Sequence, residues 1–319
     1  MFDLIFLVVI ATMASAVLTS VEIPILKNKQ FQQFIREEGP QSHLSKAGTP
    51  TMGGIAIVGT LVFITLAAGD ITMDTLAMLV VTLLFAAIGF FDDYIKVAKK
   101  HNLGLRAWQK LVLQILFAGA LALYVAKFTE HGTEVWLPII DKYLDFGALY
   151  VPFVIFVVVA MANAVNLTDG LDGLSSGVTT LVAFFFGIVA SSFGHASGMN
   201  FCAALCGGCL GFLFFNKYPA KLFMGDTGSM ALGGALAAVA IIMKVEFLLP
   251  IAGLVYVMEA LSVIIQVGYF KLTGGKRIFK MAPIHHHFEE CGMKEQHVVI
   301  MFWIVALICC AIAALVMGL

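Results

Sequence analysis

Charged residues are scarce in this sequence of 319 residues. Asp, Glu, Lys and Arg make up only 12% of it, whereas 61% is hydrophobic, and the mean hydropathy is +0.97. A soluble domain has about 25% charged residues. The scarcity excludes an ordinary water-soluble domain and predicts an integral membrane protein. The formal net charge of −1 gives no indication of a partner. We predict no nucleic acid partner.

Cysteines and linkers are also few. The chain has six cysteines, of which five fall inside predicted membrane spans. Small core residues account for them without a disulfide or a metal site. We find no internal repeat and no linker long enough to separate domains. The whole chain, 1–319, is therefore predicted to form a single polytopic membrane domain.

Long apolar runs dominate what is present. A helix needs about 20 apolar residues to cross a hydrocarbon core of roughly 30 Å, and barrel strands are much shorter. The runs therefore predict an all-α membrane bundle of about ten transmembrane helices. They lie near 4–23, 52–69, 74–91, 108–126, 148–165, 175–193, 199–215, 228–243, 247–270 and 298–318.

The positive charges predict the orientation of the bundle. Sixteen of the 19 Lys and Arg residues fall in alternate loops, and only Lys127, Lys142 and Lys244 fall in the others. Loops rich in Lys and Arg face the cytoplasm. With an even number of spans, both termini are then predicted to lie outside.

Five aspartates fall at predicted cytoplasmic ends of spans: Asp92, Asp93, Asp169, Asp172 and Asp226. Any one of them could be a solvated residue or a helix cap. Five on one face of the membrane indicate a functional site instead, because ionisable residues at membrane depth are costly. Carboxylate oxygens without thiolates suit a hard cation such as Mg²⁺, which also binds substrate phosphates. The pattern predicts phosphate chemistry at the cytoplasmic face.

Two basic segments fit that chemistry. "KAGTPTMGG", residues 46–54, offers Lys46 with hydroxyls and glycines whose N–H groups could approach an anion. It lacks the spacing of a nucleotide-binding P-loop, and a plain flexible hinge explains it equally well. Lys96 follows Asp92 by four residues and Asp93 by three, so one helical face would bring it beside either carboxylate. An ordinary surface ion pair is the alternative.

Two further segments combine polar groups with glycines. "NAVNLTDGLDGLSSG", residues 163–177, places Asn163, Asn166, Asp169 and Asp172 at every third position. On a helix this set would drift about 60° per step, so we expect the helix to stop near Gly170 and a loop to carry the aspartates. "KLFMGDTGSMALGG", residues 221–234, places Phe223 three residues before Asp226. Its ring could stack on a nucleobase, although an aromatic at a membrane interface is the commoner explanation.

Three consecutive histidines, His285, His286 and His287, lie in the last predicted inner loop. Adjacent side chains diverge on a helix, and no zinc-ligand spacing follows them. Contacts with phosphate or sugar oxygens are the favoured interpretation, with a structural role as the alternative.

The ordered motifs "KAGTPTMGG", "FFDDYIKV", "NAVNLTDGLDGL", "KLFMGDTGS" and "PIHHHFE" closely resemble the phospho-N-acetylmuramoyl-pentapeptide transferases. This family lies within the polyprenyl-phosphate N-acetylhexosamine-1-phosphate transferase superfamily, and the resemblance covers essentially the whole chain. It implies a multi-pass protein of the bacterial plasma membrane that uses Mg²⁺. It also implies transfer of phospho-MurNAc-pentapeptide from its UDP carrier to undecaprenyl phosphate, which gives lipid I and UMP.

The resemblance also implies roles for individual residues. Asp226 resembles the metal-binding aspartate, Asp92 resembles the residue proposed as base or nucleophile, and Asp93 would support the metal or position the lipid phosphate. The implied substrate-binding set is Lys46, Lys96, Lys110, Asn163, Asn166, Asp169, Asp172, Phe223, His285, His286 and His287. Within it, Asn166, Asp169 and Phe223 are similar to a uridine-binding group. Whether transfer is direct or passes through an aspartyl-phosphate stays open.

Two other functions are compatible with parts of the sequence. A GlcNAc-1-phosphate transferase of the same superfamily would share most motifs, although the "PIHHHFE" and "KAGTPTMGG" forms match the muramoyl branch better. A transporter or lipid flippase would place ionisable residues near the bilayer midplane, where Glu22 and Glu259 are the main acidic candidates. The exposed apolar helices are also compatible with contacts to membrane lipids and with a homodimer.

Overall fold

Twelve α-helices make up most of the part of the chain that the structure describes. The structure is a computed structural model that describes residues 2–31, 46, 48–99 and 103–318. The helices are α1 (Phe2–Asn28), α2 (Gly54–Ala67), α3 (Met73–Lys99), α4 (Ala107–Phe128), α5 (Tyr150–Thr168), α6 (Leu174–Ser192), α7 (Ala196–Asn216), α8 (Gly225–Ile242), α9 (Leu248–Ala252), α10 (Leu254–Leu272), α11 (Ile284–Glu290) and α12 (Glu295–Met317).

Nine of the described helices are long and apolar enough to cross a membrane. The predicted all-α integral membrane fold is therefore confirmed. Two predicted spans differ in detail. The second, 52–69, forms α2, which has only 14 residues. The ninth, 247–270, is divided into α9 and α10 at Gly253.

Although short, α2 links the two ends of the bundle. At its start, the backbone N–H of Gly54 donates to Met224 O, directly before α8. Just beyond its end, Asp70 accepts a hydrogen bond of 3.2 Å from Asn200 in the first turns of α7. Since α7 ends near the start of α8, α2 runs in the opposite direction to α7 across the bundle. Helix α2 thus occupies the position of the second predicted span, although it is shorter than the nine described helices that qualify as membrane spans.

One end of the bundle collects the polar residues of interest. We call it the site end: it is formed by the last turns of α3, α5 and α7 and the first turns of α4, α8 and α12. Cross-links between these turns define it, such as Lys110 of α4 to Asp226 of α8 and Glu295 of α12 to the backbone N–H of Asp172. The site end is the end that the distribution of Lys and Arg predicts to be cytoplasmic.

A small β-hairpin lies between α4 and α5. Strands β1 (Glu134–Leu137) and β2 (Lys142–Asp145) pair antiparallel, with Glu134 opposite Asp145. Lys244, directly after α8, donates a hydrogen bond of 2.6 Å to Gly132 O beside the hairpin. The hairpin therefore lies at the end opposite the site. The hairpin was not predicted from the sequence, because strands of four residues are much shorter than the apolar runs that predict spans.

Helix α8 forms the centre of the bundle because its side chains are small. Nearly all residues of α8 are buried, and many of them are glycine or alanine. A β-carbon on Gly89 of α3 would overlap the carbonyl group of Asp226, and one on Gly233 would overlap the backbone of Ala162 in α5. Small residues allow such close helix contacts in membranes. The close contact at Gly89 brings the aspartates of α3 next to the start of α8.

Candidate active site

Three carboxylates meet where α3 ends and α8 begins. Asp92 and Asp93 lie in the last turns of α3, and Asp226 lies in the first turn of α8. Each can offer an oxygen to a common point, and these oxygens all lie within 4.8 Å of one another. We call these three residues the carboxylate cluster. Three of the five predicted aspartates thus form one group.

Two lysines neutralise most of the charge of the cluster. The ammonium nitrogen of Lys96 lies 2.6 Å from Asp92 Oδ2 and 3.1 Å from Asp226 Oδ2. That of Lys110 lies 3.0 Å from Asp92 Oδ1 and 2.7 Å from Asp226 Oδ2. Lys96 therefore lies beside the carboxylates, as its spacing predicted. With three negative and two positive charges, the group carries a formal charge of −1.

Asp93 is held by the backbone at the start of α8. Its Oδ1 accepts a hydrogen bond of 3.1 Å from the N–H of Asp226. Its Oδ2 accepts from the N–H of Thr227 at 2.8 Å and from the Thr227 hydroxyl at 2.7 Å. Asp93 as a whole residue is only 4% exposed. A carboxylate in this position satisfies N–H groups that the helix leaves unpaired and interacts favourably with the helix dipole.

Asp92 has different partners, as expected for two adjacent residues on a helix. Its Oδ1 accepts a hydrogen bond of 2.7 Å from the N–H of Leu105, in the segment that leads into α4. Its Oδ2 is buried and, although close to Lys96, has no aligned hydrogen-bond donor among the described residues. A buried carboxylate oxygen without a donor, beside a second carboxylate, fits an oxygen-liganded cation such as Mg²⁺.

The end of α5 contributes an amide to the cluster. Asn166 Nδ2 donates to Asp226 Oδ1 at 3.0 Å and to the Ser229 hydroxyl at 2.8 Å. Asn163, one turn earlier, instead donates to Gln114 of α4 at 2.8 Å. Asn166 therefore orients the metal-binding candidate Asp226, whereas the structure shows no contact between Asn163 and the cluster. Helix α5 ends at Thr168, so a loop carries the next two aspartates, as predicted.

Asp169 lies in that loop, close enough to the cluster for the negative charges there to change its pKa. Burial and then the negative charges of Asp226, Asp93 and Asp172 raise the pKa of Asp169 to about 8. This shift favours the protonated form of the carboxyl group when no metal ion offsets those charges. A neutral carboxyl group can donate a hydrogen bond as well as accept one.

Lys46 and Asp172 form a second polar group with Glu295. The ammonium nitrogen of Lys46 lies 2.7 Å from Asp172 Oδ1 and 2.5 Å from Glu295 Oε1. Glu295 also accepts a hydrogen bond of 2.8 Å from the backbone N–H of Asp172. Burial alone would lower the pKa of Lys46, but Asp172 and Glu295 outweigh it and raise that pKa. We call these three residues the Lys46 group.

Sequence reasoning missed Glu295. It lies in the first turn of α12, at the predicted cytoplasmic end of the last span. Its position at a span end was the same signal that identified the five aspartates.

Phe223 is positioned by its backbone. Its N–H donates to Pro50 O, and its carbonyl accepts from the N–H of Gly53, each at 2.9 Å. The segment around Phe223 thus lies against the "KAGTPTMGG" segment. Residue 47 of that segment lies outside the described residues, as do residues 100–102 in the loop before α4. The Phe223 side chain is half-buried.

The three histidines diverge, as the sequence analysis expected for a helix. They lie on α11, and His285 is fully buried, with Nδ1 3.0 Å from Glu259 Oε2 of α10. His286 Nδ1 lies 2.8 Å from Glu289, and His287 Nδ1 accepts from the backbone N–H of Lys280. The three imidazole rings therefore have three different partners, on α10, on α11 itself and in the segment before α11.

Buried His285 contacts the loop of the aspartates. Its Nε2 has no hydrogen-bond partner among the described residues, and a β-carbon on Gly170 would overlap this nitrogen. Glu259, which the transporter alternative placed at membrane depth, thus packs against His285 rather than lining a midplane path. The pair joins α10 to the loop between Asp169 and Asp172.

Known protein families match the segments of the chain that contain these site residues. The family glycosyl transferase family 4 matches residues 75–244, which contain the carboxylate cluster and Asn166. The phospho-N-acetylmuramoyl-pentapeptide-transferase signature 1 matches residues 46–58, which begin at Lys46.

Curated relatives extend the similarity to nearly the whole chain. The phospho-N-acetylmuramoyl-pentapeptide-transferase of Clostridium perfringens strain 13 is 48% identical over 307 residues, which cover 96% of each chain. That of Clostridioides difficile strain 630 is 46% identical, covering 96% of this chain and 95% of its own. That of Heliobacterium modesticaldum is 50% identical over 286 residues, which cover 90% of this chain and 89% of its own. The chain belongs to the phospho-N-acetylmuramoyl-pentapeptide-transferase family.

Proposed function

We propose that the carboxylate cluster, with Lys96 and Lys110, is the reaction centre of this multi-pass bacterial membrane transferase. The enzyme transfers phospho-MurNAc-pentapeptide from UDP-MurNAc-pentapeptide to undecaprenyl phosphate, which yields lipid I and UMP for peptidoglycan synthesis. The observation that carries the proposal is the convergence of three carboxylates and two ammonium groups within hydrogen-bond distance at one end of the bundle. Family membership supports the muramoyl donor over the GlcNAc donor.

We assign Mg²⁺ binding to Asp226 and Asp92. Their Oδ2 atoms face the same ammonium group, and Asp92 Oδ2 has no aligned donor among the described residues. When bound, Mg²⁺ would offset the charge of the donor diphosphate. Asp93 is assigned a positioning role, because both of its oxygens already accept hydrogen bonds from the start of α8. Asp93 would fix Asp226 rather than ligate the metal.

The two lysines are placed to act on the reacting phosphates. In the proposed step, an oxygen of undecaprenyl phosphate bonds to the phosphorus that carries the sugar. The bond from that phosphorus to the bridging oxygen of UMP breaks, and UMP leaves with the bond electrons. Lys96 and Lys110 would stabilise the charge on the transferring group. Phosphoryl transfer depends mainly on such positioning and electrostatics.

The acceptor needs little help from a base. A phosphate monoester has a second pKa of about 6 and is largely dianionic at neutral pH. Asp92 is paired with both lysines and with the N–H of Leu105, which favours an orienting role over proton removal. A covalent route through Asp92 remains the alternative prediction. In that route Asp92 would bond to the phosphorus that carries the sugar and UMP would leave, so trapping of Asp92 that carries phospho-MurNAc-pentapeptide with donor alone would establish it.

Donor recognition is assigned to the loop after α5 and its neighbours. Asn166, the neutral Asp169 carboxyl group and Phe223 would contact the uridine, as the family resemblance implies. The Lys46 group and the histidines would contact the sugar side. The support is spatial: the loop spans from the cluster, through Asn166, to the Lys46 group, through Asp172. His285 packs against Gly170 between them.

The site end is proposed to face the cytoplasm. The donor is water-soluble and the acceptor is anchored in the bilayer, so their phosphates meet at a membrane surface. Lys and Arg enrichment selects the cytoplasmic surface. A homodimer is also compatible with the large apolar residues that α1, α4 and α12 expose.

The test is release of UMP by purified protein in detergent with undecaprenyl phosphate and Mg²⁺. One sample receives UDP-MurNAc-pentapeptide and a parallel sample receives UDP-GlcNAc. We expect release only with the muramoyl donor and only with Mg²⁺. Release with UDP-GlcNAc would move the protein to the sister branch, and no release from folded protein with either donor would refute the proposal.

A further inference from the structure

A separate basic cavity lies where α10 ends. Its volume is about 500 Å³. On one side it is lined by Val263, Val267 and Phe270 of α10, and on the other by the segment that connects α10 to α11. The site end contains this cavity because α11 packs its His285 against Gly170. None of the residues assigned above to catalysis or substrate binding lines it.

Three cations surround the cavity: Lys271, Arg277 and Lys280. Glu290 also lines it, so the formal charge of the lining is +2. Among the described residues, none of the three cations forms an ion pair with a carboxylate. Lys280 Nζ donates to the carbonyl of Glu290 at 2.8 Å, and Arg277 donates to Lys280 O at 3.4 Å. Their charges are thus not balanced by a neighbouring protein anion other than Glu290.

The basic segment is held in place by Gln266 of α10. Its Oε1 accepts hydrogen bonds from the N–H groups of Ile278 and Phe279, at 3.1 and 3.0 Å. Its Nε2 donates to Phe279 O at 2.9 Å. One side chain therefore binds the segment by three hydrogen bonds. The cavity is part of the folded structure rather than a gap beside a loose loop.

The surroundings of the cavity are those of a lipid headgroup. The wall that α10 contributes to the cavity includes Val267 and Phe270, which are 47% and 44% exposed, and α10 qualifies as a membrane span. The apolar side chains can contact an acyl chain, and the cations that form no ion pair can bind the phosphate attached to it. Basic pockets at the cytoplasmic ends of membrane helices bind anionic headgroups in this way. A soluble anion would make no use of the apolar wall.

We propose that this cavity binds the phosphodiester headgroup of an anionic membrane phospholipid. The site is distinct from that of the acceptor substrate, whose phosphate must reach Lys96 and Lys110. The inference does not rest on the proposed reaction, because lipid binding can be measured without turnover. Bound lipid would fix the segment between α10 and α11 from its outer side.

The test is equilibrium binding of headgroup-labelled phosphatidylglycerol to purified protein in a neutral detergent. Unlabelled phosphatidylcholine and undecaprenyl phosphate serve as competitors. Removing one cation near a membrane surface lowers affinity about fivefold. We therefore expect Arg277→Gln with Lys280→Gln to weaken binding about 25-fold. Lys276→Gln is the matched control, because Lys276 lies in the same segment and is exposed but does not line the cavity.

Each outcome decides the proposal. Saturable binding that phosphatidylcholine does not displace, and that the double variant but not the control weakens, supports it. Equal competition by phosphatidylcholine, or equal weakening in the control, overturns it. Stronger displacement by undecaprenyl phosphate would also overturn it, since the cavity would then be a subsite for the acceptor. Val267→Trp, which fills the cavity without changing charge, must weaken binding in the same assay.

Discussion

Replacing Asp93 by Asn separates the two adjacent aspartates of α3. Asp93 accepts three hydrogen bonds from Asp226 and Thr227 and is nearly fully buried. Asn keeps one acceptor oxygen. If that oxygen stays with Thr227, the bond from the Asp226 N–H and the negative charge at the helix start are lost. Hydrogen bonds to charged groups contribute about 1.5–3 kcal/mol each. We therefore expect Asp93→Asn to lower the free energy of unfolding by about 2 kcal/mol.

A loss of that size is measurable. For a large domain, about 1 kcal/mol corresponds to a change in Tm of about 2–4 °C, so the expected decrease is about 4–8 °C. Five of the six cysteines are buried, so their labelling by a thiol-reactive dye during heating reports unfolding in detergent. Activity should fall as well, because Asp226 would no longer be fixed.

Asp92→Asn is the matched comparison. Asp92 contacts Lys96 and Lys110, which both keep Asp226 as a partner in the variant. We expect a large loss of activity and a change in Tm smaller than that of Asp93→Asn. If Asp93→Asn keeps the Tm of the unsubstituted protein while losing activity, the positioning role is refuted and Asp93 acts directly on metal or substrate.

Glu295→Ala should raise the KM for the donor about tenfold, because Lys46 loses a charged partner. Glu295→Gln should restore part of the loss, because Gln can still accept the hydrogen bond from the N–H of Asp172. Equal KM values for both variants would show that the hydrogen bonds of Glu295 do not matter. Gly89→Ala should lower the free energy of unfolding by about 1–3 kcal/mol, since the added methyl group overlaps the backbone of Asp226; an unchanged thermal midpoint would contradict that packing. UMP binding measured calorimetrically without metal should weaken as the pH rises past about 8, where Asp169 gains a negative charge, and Asp169→Asn should remove this dependence. A pH profile that is the same in both proteins would show that Asp169 is not the titrating group.

The membrane fold could be predicted because lipid imposes simple requirements on the backbone. Every span must satisfy its own N–H and C=O groups, so length and hydrophobicity identify it. The two deviations have local causes. Helix α2 is short. Gly253 interrupts the ninth span, but this single glycine leaves the span as apolar as an unbroken one. The β-hairpin carries no comparable signal, because its eight residues pair through backbone groups at a membrane surface.

The grouping of aspartates was predictable, but their individual partners were not. Position along the chain placed Asp92, Asp93 and Asp226 at one membrane face. The sequence did not indicate that Asp93 would bind the start of α8, because that contact depends on the close packing at Gly89. Nor did it indicate that Lys46 would pair with Glu295, 249 residues away. Such contacts follow from the tertiary arrangement rather than from local spacing.

Asp226 is proposed to be part of the Mg²⁺-dependent reaction centre. The most direct measurement is the initial rate of UMP release against Mg²⁺ concentration for the unsubstituted protein, Asp226→Asn and Asp145→Asn. Asp145 lies on the hairpin at the opposite end and serves as the control. We expect saturable Mg²⁺ dependence in the unsubstituted protein and the control, and a loss of about 10²–10³-fold in Asp226→Asn, the size typical of a lost electrostatic contact in a transition state. If Asp226→Asn retains the full rate and the same Mg²⁺ dependence, the reaction centre lies elsewhere.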